Sequence, residues 1–158
     1  MKQKVLSAST AKTKKLGKDL AKKILRTAPS KKAVVLGLEG DLGSGKTTFL
    51  QGFARGLGIK EKILSPTFVI MKKFAIKTNT HDSRGTPTPN TFYHIDCYRI
   101  QKSKEILDLG FKEIISDSQN IVAIEWSERI KKVLPKQIIL LRFRFVDKNK
   151  REISFTTM

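Results

Sequence analysis

The 158-residue sequence has a single cysteine, few acidic residues and no long apolar run. Cys97 cannot form an internal disulfide, which excludes the disulfide-stabilised class of small secreted domains and favours a reducing compartment. No stretch approaches the roughly 20 consecutive apolar residues of a membrane-spanning helix, and no export signal follows the basic N-terminus. We therefore expect a cytoplasmic protein without a membrane partner, folded as one domain over residues 1–158.

The shortage of acids leaves 32 Lys and Arg residues against 14 Asp and Glu, a formal charge of +18 that favours polyanionic partners. The charge is concentrated in residues 1–32, which hold eleven basic residues and one acid. Apolar residues recur there at four-residue steps from Leu16 to Ile24, which predicts an amphipathic helix with Ser9 or Thr10 at its start. The lysines of this basic N-terminal helix region make either a solvated face, which we favour, or an RNA-binding surface.

A glycine-rich segment carries the main functional signal. Residues 33–39 are apolar and β-branched, as in a central parallel strand buried on both faces. Residues 40–47, Gly-Asp-Leu-Gly-Ser-Gly-Lys-Thr, fit the phosphate-binding pattern G-x-x-x-x-G-K-[ST], and helical periodicity follows. Because strand, motif and helix agree, we favour a nucleotide site over a glycine-rich turn with an exposed lysine.

Each residue type in this phosphate loop suits a triphosphate. The glycines allow backbone N–H groups to turn inward, where they surround the β-phosphate together with the positive end of the following helix. Lys46 places a charge between the β- and γ-phosphates, and Thr47 offers a hydroxyl to Mg²⁺. The nucleotide-binding residues predicted in this segment are Asp41, Leu42, Gly43, Ser44, Gly45, Lys46, Thr47 and Thr48.

The expected nucleotide is ATP. A phosphate loop alone does not decide the base, but guanine-specific enzymes usually need an Asn-Lys-x-Asp element. The nearest string, residues 149–152, ends in Glu, falls in a predicted hairpin turn and lies near the C-terminus. We therefore exclude it as a base-binding element and expect adenine.

Two further strands carry a carboxylate near their ends. Residues 92–99 include Asp96, and the apolar run 121–124 is followed by Glu125. An acid at the carboxyl end of a buried strand points into the ligand crevice of an open α/β sheet, where P-loop enzymes place a Mg²⁺ ligand or a water-positioning group. The alternatives are an acid at a helix N-terminus for Glu125 and a salt bridge with Arg99 for Asp96.

The segment between the phosphate loop and these strands adds one candidate residue and one long loop. Thr67 follows Thr47 by 20 residues, a separation at which switch threonines reach Mg²⁺ or the γ-phosphate. Capping a turn beside Pro66 is an equal alternative. Residues 68–76 predict a strand, and residues 77–90 predict a mobile surface loop.

The C-terminal part predicts an antiparallel hairpin. Residues 137–147 and 151–157 alternate in part between apolar and polar side chains and are separated by an Asp-Lys-Asn-Lys turn. We expect this hairpin at the edge of the sheet, where its positive charges discourage further pairing. His94 is interpreted as an ordinary strand residue, since no His and Cys have metal-site spacing.

The ordered set of motifs resembles the TsaE (YjeE) family of bacterial ATPases, which take part in threonylcarbamoyladenosine modification of tRNA. The resemblance covers most of the chain. It is carried by Ser9-Thr10, Glu39–Thr48, Ser65–Phe68, Tyr93–Arg99 and Glu125–Arg129.

The resemblance implies an α/β fold, a P-loop NTPase-like three-layer sandwich whose mixed sheet includes the C-terminal antiparallel hairpin. It also implies ATP hydrolysis with Mg²⁺ and association with the TsaB–TsaD complex, which modifies the adenosine beside the anticodon and which the ATPase resets between turnovers. By similarity, Thr47, Glu125 and Asp96 surround the metal ion. The catalytic residues it implies are Lys46, Asp96, Glu125 and Thr67, and the residues it places near the nucleotide include Thr10, Trp126 and Arg129.

Two departures from the family keep alternatives open. Residues 77–90 form a longer connection than the family typically has, and the chain is unusually basic, so direct affinity for tRNA is a further expectation. A small-molecule kinase remains an alternative function if Arg84 of this loop supplies a lid. A basic nucleic-acid-binding P-loop module is a second alternative, motivated by residues 1–32.

Overall fold

The computed structural model describes residues 2–27, 30–65, 69–77 and 81–157. Seven strands in this part of the chain form one mixed sheet. They are β1 (Lys2–Ser7), β2 (Val34–Glu39), β3 (Met71–Ala75), β4 (Thr91–Asp96), β5 (Asn120–Glu125), β6 (Ile139–Phe145) and β7 (Arg151–Thr157). Their spatial order is β1-β7-β6-β2-β5-β4-β3.

The centre of the sheet is parallel, and this brings three strand ends together. Strand β2 lies between β5 and β6 and runs parallel to both, and β4 runs parallel to β5. Asp96 of β4 is the register partner of Glu125 of β5, and Glu125 is also the register partner of Leu38 of β2. The predicted central parallel strand is confirmed, and the carboxyl ends of β2, β4 and β5 meet at one edge of the sheet.

Helices cover both faces of the sheet and complete the three layers expected from the sequence. They are α1 (Thr10–Arg26), α2 (Lys46–Gly56), α3 (Ser103–Leu107), α4 (Phe111–Ser116) and a 3₁₀ helix (Ser127–Val133). One core lies between the sheet and α1 and α2, with Phe49 and Phe53 fully buried in it. The other core holds Ile106, Phe111 and Ile130 on the opposite face.

Helix α1 begins where the sequence indicates and packs unusually close to α2. The Ser9 hydroxyl caps α1 by accepting a hydrogen bond from the Lys12 amide at 3.1 Å. A methyl group added at Gly17 would overlap the carbonyl oxygen of Phe49, and one at Gly52 would overlap that of Lys14. These two glycines therefore set the distance between the helices, and so the position of the segment that precedes α2.

The C-terminal hairpin is antiparallel as predicted, but its predicted place at the sheet edge is wrong. Strand β7 pairs with β1 along nearly all of its length, from Lys2 opposite Thr156 to Ser7 opposite Arg151. The basic N-terminal helix region thus begins with a strand that covers the hairpin. The sheet ends at β1 on one side and at β3 on the other.

Two other boundaries differ from the sequence expectations. Strand β3 covers Met71–Ala75 and is shorter than the predicted strand 68–76, whose first residue lies outside the described part. The connection that follows has a bridge between His81 and Pro87 and a turn organised by Asp82, whose carboxylate accepts from the amides of Arg84 and Thr86. Its mobility stays a prediction. In the described ranges, each helix is too short or too polar to cross a lipid bilayer.

Candidate active site

The phosphate loop, residues 40–47, wraps around the start of α2. Its glycines Gly40, Gly43 and Gly45 have φ angles of 141°, 72° and 102°, a region that side chains with a Cβ rarely adopt. The Ser44 amide donates to the Asp41 carbonyl at 3.1 Å, which closes the turn. The first amides of α2 have no partner within the helix, so the loop surrounds a natural anion site.

Lys46 is buried at the centre of this loop. Its ammonium group donates to the carbonyl oxygens of Gly40 and Asp41 and lies 4.2 Å from the ring centroid of Trp126. Burial lowers the pKa of Lys46, while the nearby carboxylates, Glu125 first among them, act in the opposite direction. The loop therefore holds a positive charge against an aromatic face at the point where a phosphate would bind.

Glu125 is held by two hydrogen bonds, one to each carboxylate oxygen. The Thr47 hydroxyl donates to Glu125 Oε1 at 2.7 Å, and His94 Nε2 lies 2.8 Å from Glu125 Oε2. Both His94 and Glu125 are buried, and the histidine tautomer that carries its proton on Nε2 would donate to this oxygen. The alternative of an acid at a helix N-terminus is not favoured for Glu125, because its carboxylate oxygens bond to Thr47 and His94 and not to the amides of the 3₁₀ helix that follows.

Asp96 lies on the neighbouring strand with its carboxylate also held at both oxygens. Its Oδ2 accepts from the Ser65 hydroxyl at 2.9 Å, and its Oδ1 accepts from the Tyr98 amide at 2.9 Å. A salt bridge with Arg99 is absent within the described residues. Asp96 thus faces the same cleft as Glu125 without a cationic partner.

These groups open onto a cleft of about 540 Å³. Its walls come from the start of α1, the phosphate loop, the ends of β4 and β5, and the turn between β6 and β7. The residues predicted as site residues that line it are Thr10, Leu42, Gly43, Ser44, Gly45, Lys46, Thr47, Thr48, Asp96, Glu125 and Trp126. The residues that the sequence motifs assigned to one site are therefore also close together in the fold.

Two predicted site residues in the described part of the chain, Asp41 and Arg129, do not line the cleft. Asp41 contributes its carbonyl oxygen to Lys46 but is not among the residues that line the cleft. The Arg129 guanidinium lies over the rings of Tyr98 and Trp126, at 5.5 and 5.7 Å, and so contacts the cleft only through Trp126. Thr67 lies outside the described residues, so its switch role stays a prediction.

Sequence reasoning missed one wall of the cleft. Lys148, Asn149 and Arg151 line it, and the Arg151 Nε donates to the Gly43 carbonyl at 3.3 Å. Position near the C-terminus was therefore a wrong reason to exclude this turn from base contacts. The available signal was topological: because β6 runs parallel to β2, the turn after β6 reaches the same sheet edge as the loop after β2.

The oxygen-rich set around Thr47 fits a divalent cation. A hydroxyl and a carboxylate are the hard oxygen ligands that Mg²⁺ accepts, and Mg²⁺ usually takes one or two carboxylates together with substrate phosphates. In the part of the chain that the structure describes, three or more His, Cys, Asp or Glu side chains do not cluster as a metal cage. The donors thus suit an ion that is shared with a nucleotide.

Comparison with known proteins gives one family. The family model described as "Threonylcarbamoyl adenosine biosynthesis protein TsaE" matches residues 7–153. A tRNA threonylcarbamoyladenosine biosynthesis protein TsaE from Bacillus subtilis is 38% identical over 134 residues, which cover 85% of this chain and 76% of that protein. The protein of the same name from Rickettsia felis is 36% identical over 146 residues, covering 92% and 74%.

A solved structure agrees with the sequence relatives. The crystal structure of YdiB from Bacillus subtilis superposes with a TM-score of 0.71 at 30% sequence identity, covering 99% of this chain and 86% of that chain. The family match extends over the phosphate loop, Asp96 and Glu125. By sequence and by fold, this chain belongs to the TsaE family.

Proposed function

We propose that this chain is an ATPase that acts with the TsaB–TsaD complex in threonylcarbamoyladenosine modification of tRNA. Its relatives are named as tRNA threonylcarbamoyladenosine biosynthesis proteins, and the cleft is lined by a phosphate loop with a buried lysine. The observation that carries the proposal is the hydrogen bond from Thr47 to Glu125, because it links the phosphate loop to a buried carboxylate at the end of a neighbouring strand.

The chain's own groups suffice to bind and orient a triphosphate. The amides at the start of α2 would bind the β-phosphate, and Lys46 would supply a charge between the β- and γ-phosphates. Thr47 and Glu125 would hold Mg²⁺, with Asp96 near the same centre. The bound ion would neutralise phosphate charge.

Asp96 is suited to orient the attacking water. Its carboxylate faces the cleft and is fixed by Ser65 and by the Tyr98 amide, so its direction is set before a nucleotide binds.

Adenine would lie toward the turn after β6, where the Asn149 side chain offers both a donor and an acceptor to a base edge.

The kinase alternative lacks its lid in this fold. Arg84 is held by Asp82 within its own loop, with its Nε and Nη2 at 3.0 and 2.7 Å from the same carboxylate oxygen. Six residues of this loop, Arg84 among them, line a separate groove beside α1 and β1, and the described residues of the loop do not line the nucleotide cleft. An arginine held there does not reach a γ-phosphate in the cleft.

Turnover of ATP with and without the partner proteins tests the proposal. We expect Mg²⁺-dependent ATP hydrolysis that rises when TsaB and TsaD from the same cell are added. Lys46→Ala should lose most of the turnover, while Lys112→Ala, an exposed lysine of α4, should keep it. Absence of turnover in every combination, or equal turnover in Lys46→Ala, would contradict the proposal.

A further inference from the structure

A second groove, distinct from the nucleotide cleft, lies between α1 and α2 and has a volume of about 850 Å³. Basic side chains from three segments line it, with four on α1, one on α2 and one on the segment that follows α2. They are Lys14, Lys15, Lys18, Lys22, Arg55 and Lys62. Two acids, Asp19 and Glu61, lie among them, so the groove carries a clear excess of positive charge.

Most of this charge is not neutralised by the protein. Asp19 is bonded to Lys15 at 2.6 Å, and the surrounding lysines hold the pKa of this carboxyl below its usual value. In the described ranges, Lys14, Lys18, Lys22 and Lys62 have no carboxylate within 4 Å. These four ammonium groups are therefore available to an external anion.

Three lysines of α1 place like charges at helical spacing. Lys14, Lys18 and Lys22 stand four residues apart, so they form one row with a rise of about 6 Å per step. Like charges at this spacing destabilise a helix by a few tenths of a kcal/mol per pair. The attraction of Lys18 and Lys22 to Asp19 offsets part of this cost, and an extended polyanion would contact all three lysines at once.

The composition of the groove favours a phosphate backbone over a protein partner. Protein interfaces are enriched in aromatic residues, Met and Arg and depleted of Lys at their centre, whereas here lysine is the main basic residue. Among the described residues, the groove lining contains no aromatic side chain on which an unpaired base could stack. The expected contacts are thus to backbone phosphates, as in structured RNA, without reading of the bases.

We propose that the groove between α1 and α2 binds the phosphodiester backbone of structured RNA independently of its base sequence. The groove shares its two helices with the nucleotide cleft but not its lining residues, since the cleft uses the start of α1 and the first turn of α2. RNA binding by this surface can therefore be tested apart from ATP hydrolysis.

Fluorescence anisotropy of a labelled tRNA tests the proposal on two charge-matched triple variants. Lys14→Ala/Lys18→Ala/Lys22→Ala removes the row on α1, and Lys102→Ala/Lys104→Ala/Lys112→Ala removes three exposed lysines from the opposite side of the sheet. Alanine is the best helix former, so the first variant should fold, as circular dichroism can check. We expect the groove variant to bind at least about tenfold more weakly and the control to stay within about twofold of wild type.

The salt dependence gives a second readout. The logarithm of affinity should fall linearly with the logarithm of salt concentration, and removing three phosphate contacts should reduce the slope by about 2–3, since each contact to a duplex contributes ~0.9. Equal losses in the two triple variants would show attraction to net charge only and overturn the proposal. RNA binding that is undetectable or insensitive to salt would also overturn the proposal.

Two further arms separate the groove from other interpretations. Poly-glutamate should compete poorly with the RNA, and competition as strong as that by unlabelled tRNA would point to an acidic protein and overturn the proposal. Lys46→Ala should bind RNA like wild type, because Lys46 lines the nucleotide cleft and not the groove. This expectation holds even if the ATPase proposal fails. Parallel loss of RNA binding in Lys46→Ala would place the RNA at the nucleotide cleft and contradict the groove assignment.

Discussion

His94 Nε2 lies 2.8 Å from Glu125 Oε2. Both side chains are buried, and the two residues belong to the neighbouring parallel strands β4 and β5. The other oxygen of Glu125 accepts from Thr47. One carboxylate oxygen is thus occupied by the histidine, while the other faces the phosphate loop. The histidine acts on the site through Glu125, which makes it a positioning residue.

We predict that His94→Ala weakens Mg²⁺ binding at the site by loosening Glu125. Partners of metal-binding side chains typically contribute 10–100-fold in metal affinity, so the Mg²⁺ concentration for half-maximal ATP turnover should rise by at least about tenfold. His94→Gln, whose amide can donate from nearly the same place as Nε2, should recover much of the loss. An unchanged Mg²⁺ requirement in folded His94→Ala would contradict this role.

Trp126 should report nucleotide binding directly. It is the only tryptophan of the chain, it lines the cleft, and its ring contacts the Lys46 ammonium. A triphosphate that attracts Lys46 away from the ring will change its environment, so we predict a change in tryptophan fluorescence on addition of ATP. Adenosine, which lacks phosphates, is the control and should give little change. An unaltered emission spectrum at ATP concentrations that saturate the site by calorimetry would refute this geometry.

Local features of the fold could be predicted from the sequence because their causes are local. The apolar run of β2, the glycines of the phosphate loop and the Ser9 cap each depend on residues within a few positions of one another. Strand β1 could not be found this way, since Lys2–Ser7 is mostly exposed and its pairing partner, β7, lies about 150 residues away.

The features of the site can likewise be divided into those that depend on nearby residues and those that depend on distant ones. The phosphate loop and the two carboxylates were evident from motif and strand ends, but the contact of His94 with Glu125 depends on β4 and β5 being neighbours. The turn with Asn149 reaches the cleft only because β6 lies beside β2. Strand order arises from packing across the whole chain, so it cannot be predicted from the periodicity of a single segment.

The close approach of α1 and α2 makes Gly52 sensitive to substitution. A Cβ there would overlap the Lys14 carbonyl, which is backbone and cannot move alone. We predict that Gly52→Ala lowers the free energy of unfolding by about 1–3 kcal/mol although alanine favours helices. Arg55→Ala, at an exposed position one turn later, should change stability much less in urea unfolding. Equal stability of Gly52→Ala and wild type would mean that the helices lie farther apart.

Cys97 should be unreactive in the folded protein. Burial, with a smaller effect from Asp96, raises the pKa of Cys97 to about 12 from 9.0, and the side chain is fully buried. The neutral thiol is favoured by the fold, so this contribution to stability is complete below pH 9 and is lost as pH rises toward 12. We predict slow alkylation by iodoacetamide at pH 8 and fast alkylation in urea. Comparable rates in the two conditions would contradict the buried placement.

The most direct test of the proposed site is ATP turnover by Glu125→Gln across Mg²⁺ concentrations, with TsaB and TsaD present. Glutamine keeps the shape of the side chain and its acceptor for Thr47 but removes the negative charge. We predict a loss of at least about 100-fold in turnover, or ~2.7 kcal/mol, and a higher Mg²⁺ requirement. Wild-type turnover with an unchanged Mg²⁺ requirement would show that Glu125 is not the carboxylate at the metal.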